Sequence, residues 1–137
     1  MGRNETVDWL DLEVGIDRVL GDIPQSCARE VGKAVQQSVR KTARELRSGE
    51  YGHEGLHVWS EEYMGGFSSR ARTSGMTPEG EVGNRKKPGL VHLLEKGHLT
   101  PAGRRTNAYP HMLPAFTAME EDFVERAKKA VGKALVG

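Results

Sequence analysis

Residues 86–115, which read KKPGLVHLLEKGHLTPAGRRTNAYPHMLPA, contain the most specific local pattern in the chain. Pro88 and Gly89 precede a short apolar run, and Gly97 follows it at a position typical of a helix end. Residues 98–111 then show no periodicity and contain both glycine and proline, which indicates a loop. Pro114 is expected to start another helix, because proline suits a first helical turn. The stretch therefore predicts a helix, a long loop and the start of a second helix.

The segment after Pro114 carries apolar residues at helical spacing on one face, namely Phe116, Met119, Phe123, Ala127, Ala130 and Ala134. Acidic residues are concentrated early in this segment and lysines late, which matches the helix dipole. This pattern predicts a C-terminal helix whose phenylalanine and methionine stripe belongs to the core.

Pro24 opens the clearest amphipathic pattern of the chain, and Gly49 marks its expected end. One face carries the apolar set Ala28, Val31, Val35, Val39, Thr42 and Leu46. Another face is basic and consists of Arg29, Lys33, Arg40, Arg44 and Arg47. The favoured interpretation of the basic stripe is an ordinary solvated helix face, and a DNA-binding surface is the alternative.

The middle of the chain has a strand-like composition. Leu56, Val58 and Trp59 predict one short strand, residues 64–73 a second and residues 80–84 a third. Residues 74–78 have turn chemistry, so the last two strands are expected to form a hairpin. Residues 6–14 alternate apolar and acidic side chains, which indicates a short strand or extended arm, and a helical turn closed by Gly21 follows.

These elements predict an α+β fold, in which a long N-terminal helix and a C-terminal helix pack on a small, mostly antiparallel sheet. A long flexible loop precedes the last helix. Residues 1–23 are interpreted as an N-terminal extension and residues 24–137 as a single domain, since 137 residues suffice for one modest core.

Composition narrows the class of protein. A formal net charge of +1 excludes a simple, highly basic nucleic-acid binder. Acidic residues prevail in residues 1–22 and basic residues in residues 24–47, which suits head-to-tail contact between copies or simply two solvated faces.

The single cysteine, Cys27, cannot form an internal disulfide, so a buried, inert thiol in a reducing compartment is expected. No run approaches the ~20 apolar residues of a membrane span, so a soluble intracellular protein is expected.

His92, Glu95 and His98 form an H-x-x-E-x-x-H pattern that resembles a metal-binding motif, and His111 is a further candidate ligand. Steps of three residues spread the side chains over roughly a third of a helix circumference, wider than the step of four in zinc peptidases. Gly97 should also end the helix before His98. A small metal-dependent hydrolase is thus only an alternative, and we predict no catalytic residue, metal or cofactor.

The same stretch resembles a phage family. Residues 84–98, NRKKPGLVHLLEKGH, then Arg104 and Arg105, then residues 108–115, AYPHMLPA, are similar to the tail-component, or neck and tail-completion, family of long-tailed bacteriophages. Its members typically show N-x-x-x-P-x-L-x-H-L-L-E-x-G-H, a Gly/Arg-rich loop and A-x-P-H-x-x-P-A. Residues 60–67, SEEYMGGF, look like the family's T-G-x-Y-x-x-G-W, with Phe67 in place of Trp. The resemblance covers roughly residues 24–135 and is strongest over residues 84–115.

This resemblance implies a non-enzymatic structural protein of the virion neck, assembled in the host bacterial cytoplasm, that acts in head–tail joining or tail completion. The subunit would form a homo-oligomeric ring around the DNA channel and contact other neck, connector and tail proteins, with no membrane partner.

On this hypothesis residues 98–109 are a docking arm that becomes ordered on binding, with Tyr109 as an anchor. Arg104 and Arg105 would meet carboxylates of a neighbour or DNA phosphates. The expected partner-interface residues are His92, Glu95, His98, Arg104, Arg105, Tyr109 and His111. The expected contacts with channel DNA or a subunit are Arg29, Lys33, Arg40, Arg44 and Arg47.

Overall fold

A computed structural model describes residues 9–12, 27–53, 60–72 and 78–136. Its elements, in chain order, are β1 (Trp9–Leu12), α1 (Ala28–Arg47), α2 (Glu61–Gly65), β2 (Phe67–Arg72), β3 (Glu79–Asn84), α3 (Pro88–Lys96) and α4 (Met112–Val136). Two long helices and an antiparallel sheet confirm the predicted α+β class. The predicted helix start at Pro24, the helical turn before Gly21, the strand at residues 56–59 and most of the hairpin connector lie outside the described residues.

The sheet has three strands in the order β1-β3-β2, and both pairs are antiparallel. The predicted hairpin is confirmed, since Phe67 lies opposite Asn84 and Arg72 opposite Glu79. The strand predicted within residues 6–14 also forms, and β1 pairs with β3 along its whole length. The sheet of the domain therefore includes a strand from the segment that the sequence assigned to an N-terminal extension.

The predicted strand at residues 64–73 is too long at its start. Residues 61–65 form the short helix α2 instead, and the side chain of Ser60 caps it by accepting the N–H of Tyr63 at 3.3 Å. Serine at the N-cap and two glutamates in the first turn favour a helix locally, and this outweighs the strand-like composition that follows. Glu61 and Glu62 are consequently helical, and β2 begins at Phe67.

The core lies where α1 packs against α4 and against β2 and β3. The predicted apolar face of α1 is buried except for the half-buried Ala28, and Val31 and Val39 are fully inaccessible, as is Cys27. A Cβ at Gly80 would lie 2.7 Å from Val39 and 2.8 Å from Val35, so the glycine lets the sheet approach the helix closely. Within the predicted stripe of α4, Met119, Phe123 and Ala127 are buried.

A polar cluster joins the two long helices beside this core. Asp122 of α4 accepts a hydrogen bond from the hydroxyl of Ser38 on α1 at 2.7 Å and from Nε of Arg126 at 2.7 Å. Nζ of Lys41 lies 3.5 Å from the same carboxylate. Burial by itself would raise the pKa of Asp122, but the bonds from Arg126 and Ser38 and the nearby positive charges lower it.

The ends of α3 agree with those predicted from the sequence, but its buried face does not. It begins at Pro88 and ends before Gly97, whose φ of 73° is a conformation that suits glycine. Val91 is its buried side chain, whereas Leu93 is 40% exposed. The spacing of Leu90, Leu93 and Leu94 in the sequence would place them on one apolar face, but Leu93 is exposed, so this face is not buried as a whole. Within the described ranges, no helix combines the length and apolar character that spanning a membrane requires.

Candidate functional site

The carboxylate of Glu95, near the end of α3, caps the beginning of α4. Its Oε1 accepts the backbone N–H groups of His111 and Met112, both at 2.9 Å, and its Oε2 accepts that of Leu113 at 2.9 Å. Pro114 has no N–H, and the N–H of Ala115 bonds to the carbonyl of His111 at 3.3 Å. The N–H groups of the first turn that have no acceptor within the helix are therefore all bonded to the side chain of Glu95.

This arrangement explains both the position of the helix start and the ionisation of Glu95. The predicted start at Pro114 is wrong, because the N–H groups before the proline are satisfied by Glu95 and the helix can begin at Met112. Burial alone would raise the pKa of Glu95. The hydrogen bonds from the ring and backbone of His111 and from the next two N–H groups outweigh burial and lower this pKa to about 2.

His111 is fully buried beside Glu95 and connects it to α2. Its Nδ1 lies 3.1 Å from Oε1 of Glu95 and 3.0 Å from the carbonyl oxygen of Tyr109. Since both of these atoms are acceptors, Nδ1 carries a hydrogen, and Nε2 is hydrogen-bonded to the hydroxyl of Tyr63 at 2.7 Å. Burial raises the pKa of Tyr63, and the negative charge of Glu95 raises it further.

Asn84, at the end of β3, fixes the turn into α3. It is fully buried; its amide donates to the carbonyl of Tyr63 at 2.6 Å, and its Oδ1 accepts the N–H groups of Lys86 and Lys87 at 3.1 and 2.8 Å. A Cβ at Gly66 would lie 2.3 Å from that Oδ1, so a side chain there would displace the asparagine. Asn84, Tyr63, His111 and Glu95 thus form one internal network, which we call the Tyr63–Glu95 network.

The loop between α3 and α4 closes on itself. Leu99 and Arg105 form an antiparallel bridge, and the N–H of Thr106 donates to the carbonyl of His98 at 2.8 Å. The hydroxyl of Thr106 accepts the N–H of His98 at 2.9 Å and lies 3.2 Å from its Nδ1. Residues 98–106 therefore form a small hairpin-like loop. The interpretation of residues 98–109 as an arm that orders only on docking is corrected accordingly.

Several further contacts attach this loop to the rest of the molecule. The N–H of Tyr109 donates to the carbonyl of Leu94 at 2.6 Å, and a guanidinium nitrogen of Arg105 donates to the carbonyl of Lys96 at 3.2 Å. The half-buried ring of Tyr109 packs edge-on against His53 with 5.3 Å between ring centroids. Tyr109 consequently serves as an internal contact as well as a candidate anchor.

The predicted site residues therefore differ in how far they are exposed. Glu95 and His111 are internal, with side-chain exposures of 12% and 0%, so neither can contact a partner directly in this conformation. His98 binds Thr106, and His92 lies half-buried on α3. Arg104 and Arg105 are exposed, as the docking hypothesis requires.

Three leucines of this region are exposed in the structure, and two of them, Leu99 and Leu113, were not singled out by the sequence. Leu93, Leu99 and Leu113 are 40%, 65% and 67% exposed, and they are the large hydrophobic side chains exposed in the described part of the chain. All three belong to the unit formed by α3, the loop and the first turn of α4. We use the name leucine–arginine surface for these leucines together with the exposed Arg104 and Arg105 of the same unit. Leu113 directly precedes Pro114 in a first helical turn, which is the only sequence signal that could have indicated its exposure.

The arrangement of the histidines does not resemble a metal site. Among the described residues, no group of three or more His, Cys, Asp or Glu side chains could hold a metal ion. Both oxygens of Glu95 are occupied by N–H donors, so its carboxylate is committed to the helix cap.

The basic stripe of α1 is exposed along its entire length. Arg29, Lys33, Arg40, Arg44 and Arg47 all face solvent, which both a solvated face and a DNA-binding surface require. Nζ of Lys33 lies 3.8 Å from Glu30, and Arg47 donates to the carbonyl of Phe67 at 3.0 Å. The stripe lies on a different element from the leucine–arginine surface.

Comparison with known proteins gives no match, whether to protein-family models, to curated proteins or to solved structures.

Proposed function

We propose that this chain is a structural subunit of the neck of a long-tailed phage, acting in head–tail joining or tail completion as part of an oligomeric ring. The structural role of the motif residues supports this proposal. Asn84, Glu95, Gly97 and His111, which carry the resemblance, are those that hold α3, the loop and α4 in one fixed arrangement. Residues with that role suit a protein whose task is to present a shaped surface.

The leucine–arginine surface is the part of this unit that a neighbouring subunit or neck protein would bind. The exposed leucines provide apolar area and the two arginines provide charged contacts, which are the two kinds of group that protein interfaces combine. Since the loop is already bonded internally, binding would require little ordering of the backbone. Such a protein would reside in the virion neck after assembly in the host cytoplasm.

No observation favours the metal-dependent hydrolase as a second candidate. That activity would need Glu95 and the histidines to converge on a metal or a water. Glu95 instead binds three backbone N–H groups, and His98 binds Thr106.

The proposal is tested by replacing both strongly exposed leucines, Leu99→Ser with Leu113→Ser, in the gene of the phage that encodes the chain. We expect normal folding by circular dichroism, loss of the oligomer in mass photometry, and unjoined heads and tails in electron micrographs. The matched control is Glu125→Ser with Lys128→Ser, two exposed positions farther along α4. Infectious particles at normal yield from the double leucine variant would contradict the proposal.

A further inference from the structure

The outer face of α1 has an unusual composition for a helix in a chain with a formal net charge of only +1. Its exposed residues are Arg29, Lys33, Gln37, Arg40, Arg44 and Arg47. An ordinary solvated helix face mixes both signs of charge, because pairs three or four residues apart stabilise the helix. This face, which we call the α1 basic row, has five cations, one amide and no carboxylate.

The geometry of the row is linear. With 3.6 residues per turn, the five cations fall within an arc of about 60° of the helix circumference. At about 1.5 Å per residue, the row extends over about 27 Å from Arg29 to Arg47. The cations therefore form a straight, narrow strip of positive charge.

Most of this charge is not neutralised within the protein. Arg29, Arg40 and Arg44 have no side-chain partner among the described residues, whereas Lys33 and Arg47 have the contacts given above. Glu45, at the border of the row, is engaged by Lys41 at 3.8 Å and by the hydroxyl of Tyr51 at 3.3 Å. Three guanidinium groups are thus available to an external anion.

We propose that the α1 basic row binds the phosphate backbone of a nucleic-acid duplex without reading its sequence. A duplex presents about one negative charge per 1.7 Å of its axis, so a strip about 27 Å long can meet several phosphates at once. Arginine suits this role, because its planar guanidinium bonds phosphate oxygens in pairs. The row contains no aromatic residue on which an unpaired base could stack, which favours a duplex over a single strand.

Two other classes of partner fit the row less well. An amphipathic helix binds an anionic membrane by inserting its apolar face, but Val31, Val39 and the rest of that face are buried in the core. A protein interface usually has an apolar centre, whereas the exposed face of α1 contains no apolar residue. The inference is independent of the proposed neck function, because a chain that never joins a ring would still bind a duplex.

The test measures binding of the full chain to a fluorescent 30-base-pair DNA duplex by anisotropy, at several salt concentrations from 50 to 200 mM. Each phosphate contact contributes about −0.9 to the slope of log K against log salt, so three to five contacts predict a slope between about −2.7 and −4.5. Affinity should then fall by roughly 40-fold to 500-fold over this range. The same measurement with an RNA duplex of the same sequence shows which of the two kinds of duplex the chain binds more tightly.

The informative variant is Arg29→Gln with Arg40→Gln and Arg44→Gln. Losing three phosphate contacts should reduce the magnitude of the slope by about 2.7 and weaken binding at 50 mM salt by at least tenfold. The control is Lys86→Gln with Lys96→Gln and Lys128→Gln, three exposed lysines on other elements that lower the net charge equally. Circular dichroism establishes that both variants are folded.

The proposal is supported if the arginine variant loses the salt-dependent binding and the lysine variant keeps it. Equal losses in both variants would overturn it, because net charge and not the row would then determine affinity. A wild-type chain that binds neither duplex, or that binds only vesicles containing anionic lipid or only single-stranded oligothymidine, would overturn it as well.

Discussion

Replacing Glu95 by glutamine tests whether one carboxylate stabilises the joint between α3 and α4. The substitution preserves the shape of the side chain but removes its negative charge and one of its two acceptors. The pKa of Glu95 is lowered from 4.5 to about 2. A tenfold change in an acid dissociation constant corresponds to about 1.4 kcal/mol, so the ionised group contributes roughly 3 kcal/mol at neutral pH. The side chain is 12% exposed, so solvent screens little of this contribution.

The dependence on pH has a definite sign. Because the pKa of Glu95 is lower in the folded state than in the unfolded state, its contribution is fully present above the unfolded value of 4.5 and is lost as the pH falls towards 2. Urea unfolding of wild type and Glu95→Gln at pH 7, 5, 4 and 3 measures the difference directly. We expect a difference of about 2 to 3 kcal/mol at pH 7 that decreases by roughly half at pH 3.

The matched control is Glu125→Gln, an exposed glutamate on α4, which should change the free energy of unfolding by less than about 0.5 kcal/mol. Comparing each variant with wild type at the same pH removes the contribution of all other carboxylates. A loss below about 1 kcal/mol at pH 7, or a loss that stays constant down to pH 3, would refute the proposed role of the cap.

Two further predictions concern the loop and the contact between the long helices. Gly97→Ala should destabilise the protein by about 2 to 4 kcal/mol, because the residue has a φ of 73° and its Cβ would lie 2.6 Å from the carbonyl of Thr106. Gly103→Ala, with a φ of 87° and open space around the Cβ, should cost only about 1 kcal/mol, and equal losses in urea unfolding would contradict the close contact at Gly97. Asp122→Asn should lower the free energy of unfolding by about 1 kcal/mol at pH 7, because it removes the negative charge that interacts with Arg126 and Lys41. Since the pKa of Asp122 is lowered by folding, the difference should disappear as the pH falls below the usual range of a carboxylate, and a difference that grows on acidification would be inconsistent with this role.

Some of the fold could be predicted because the signals are local. Pro88 and Gly97 delimit α3, and Gly49 follows α1 with a φ of 83°, because these residues restrict or relax the backbone wherever they occur. The amphipathic spacing of α1 also indicated correctly which side of the helix is buried and which side carries the exposed cations. The failures at residues 64–66 and at Pro114 arose where a capping side chain, Ser60 or Glu95, changed the local outcome.

Only part of the candidate site could be predicted from the sequence. The stretch from Asn84 to His111 stood out as a pattern, but one partner of His111 is Tyr63, 48 residues away, and no spacing rule connects them. The exposure of Leu99 left no signal in the sequence, and that of Leu113 left only its position before Pro114, since apolar residues next to a predicted helix are usually assigned to the core.

The sequence by itself determined that residues 86–115 form a helix, a loop and a second helix, and that α1 has one apolar and one basic face. Only the tertiary structure decided what Glu95 does. Its place in H-x-x-E-x-x-H is compatible with a metal ligand, a partner contact or a helix cap. The choice among them depends on where the first turn of α4 lies, and the long-range packing of α4 against α1 and the sheet fixes that position.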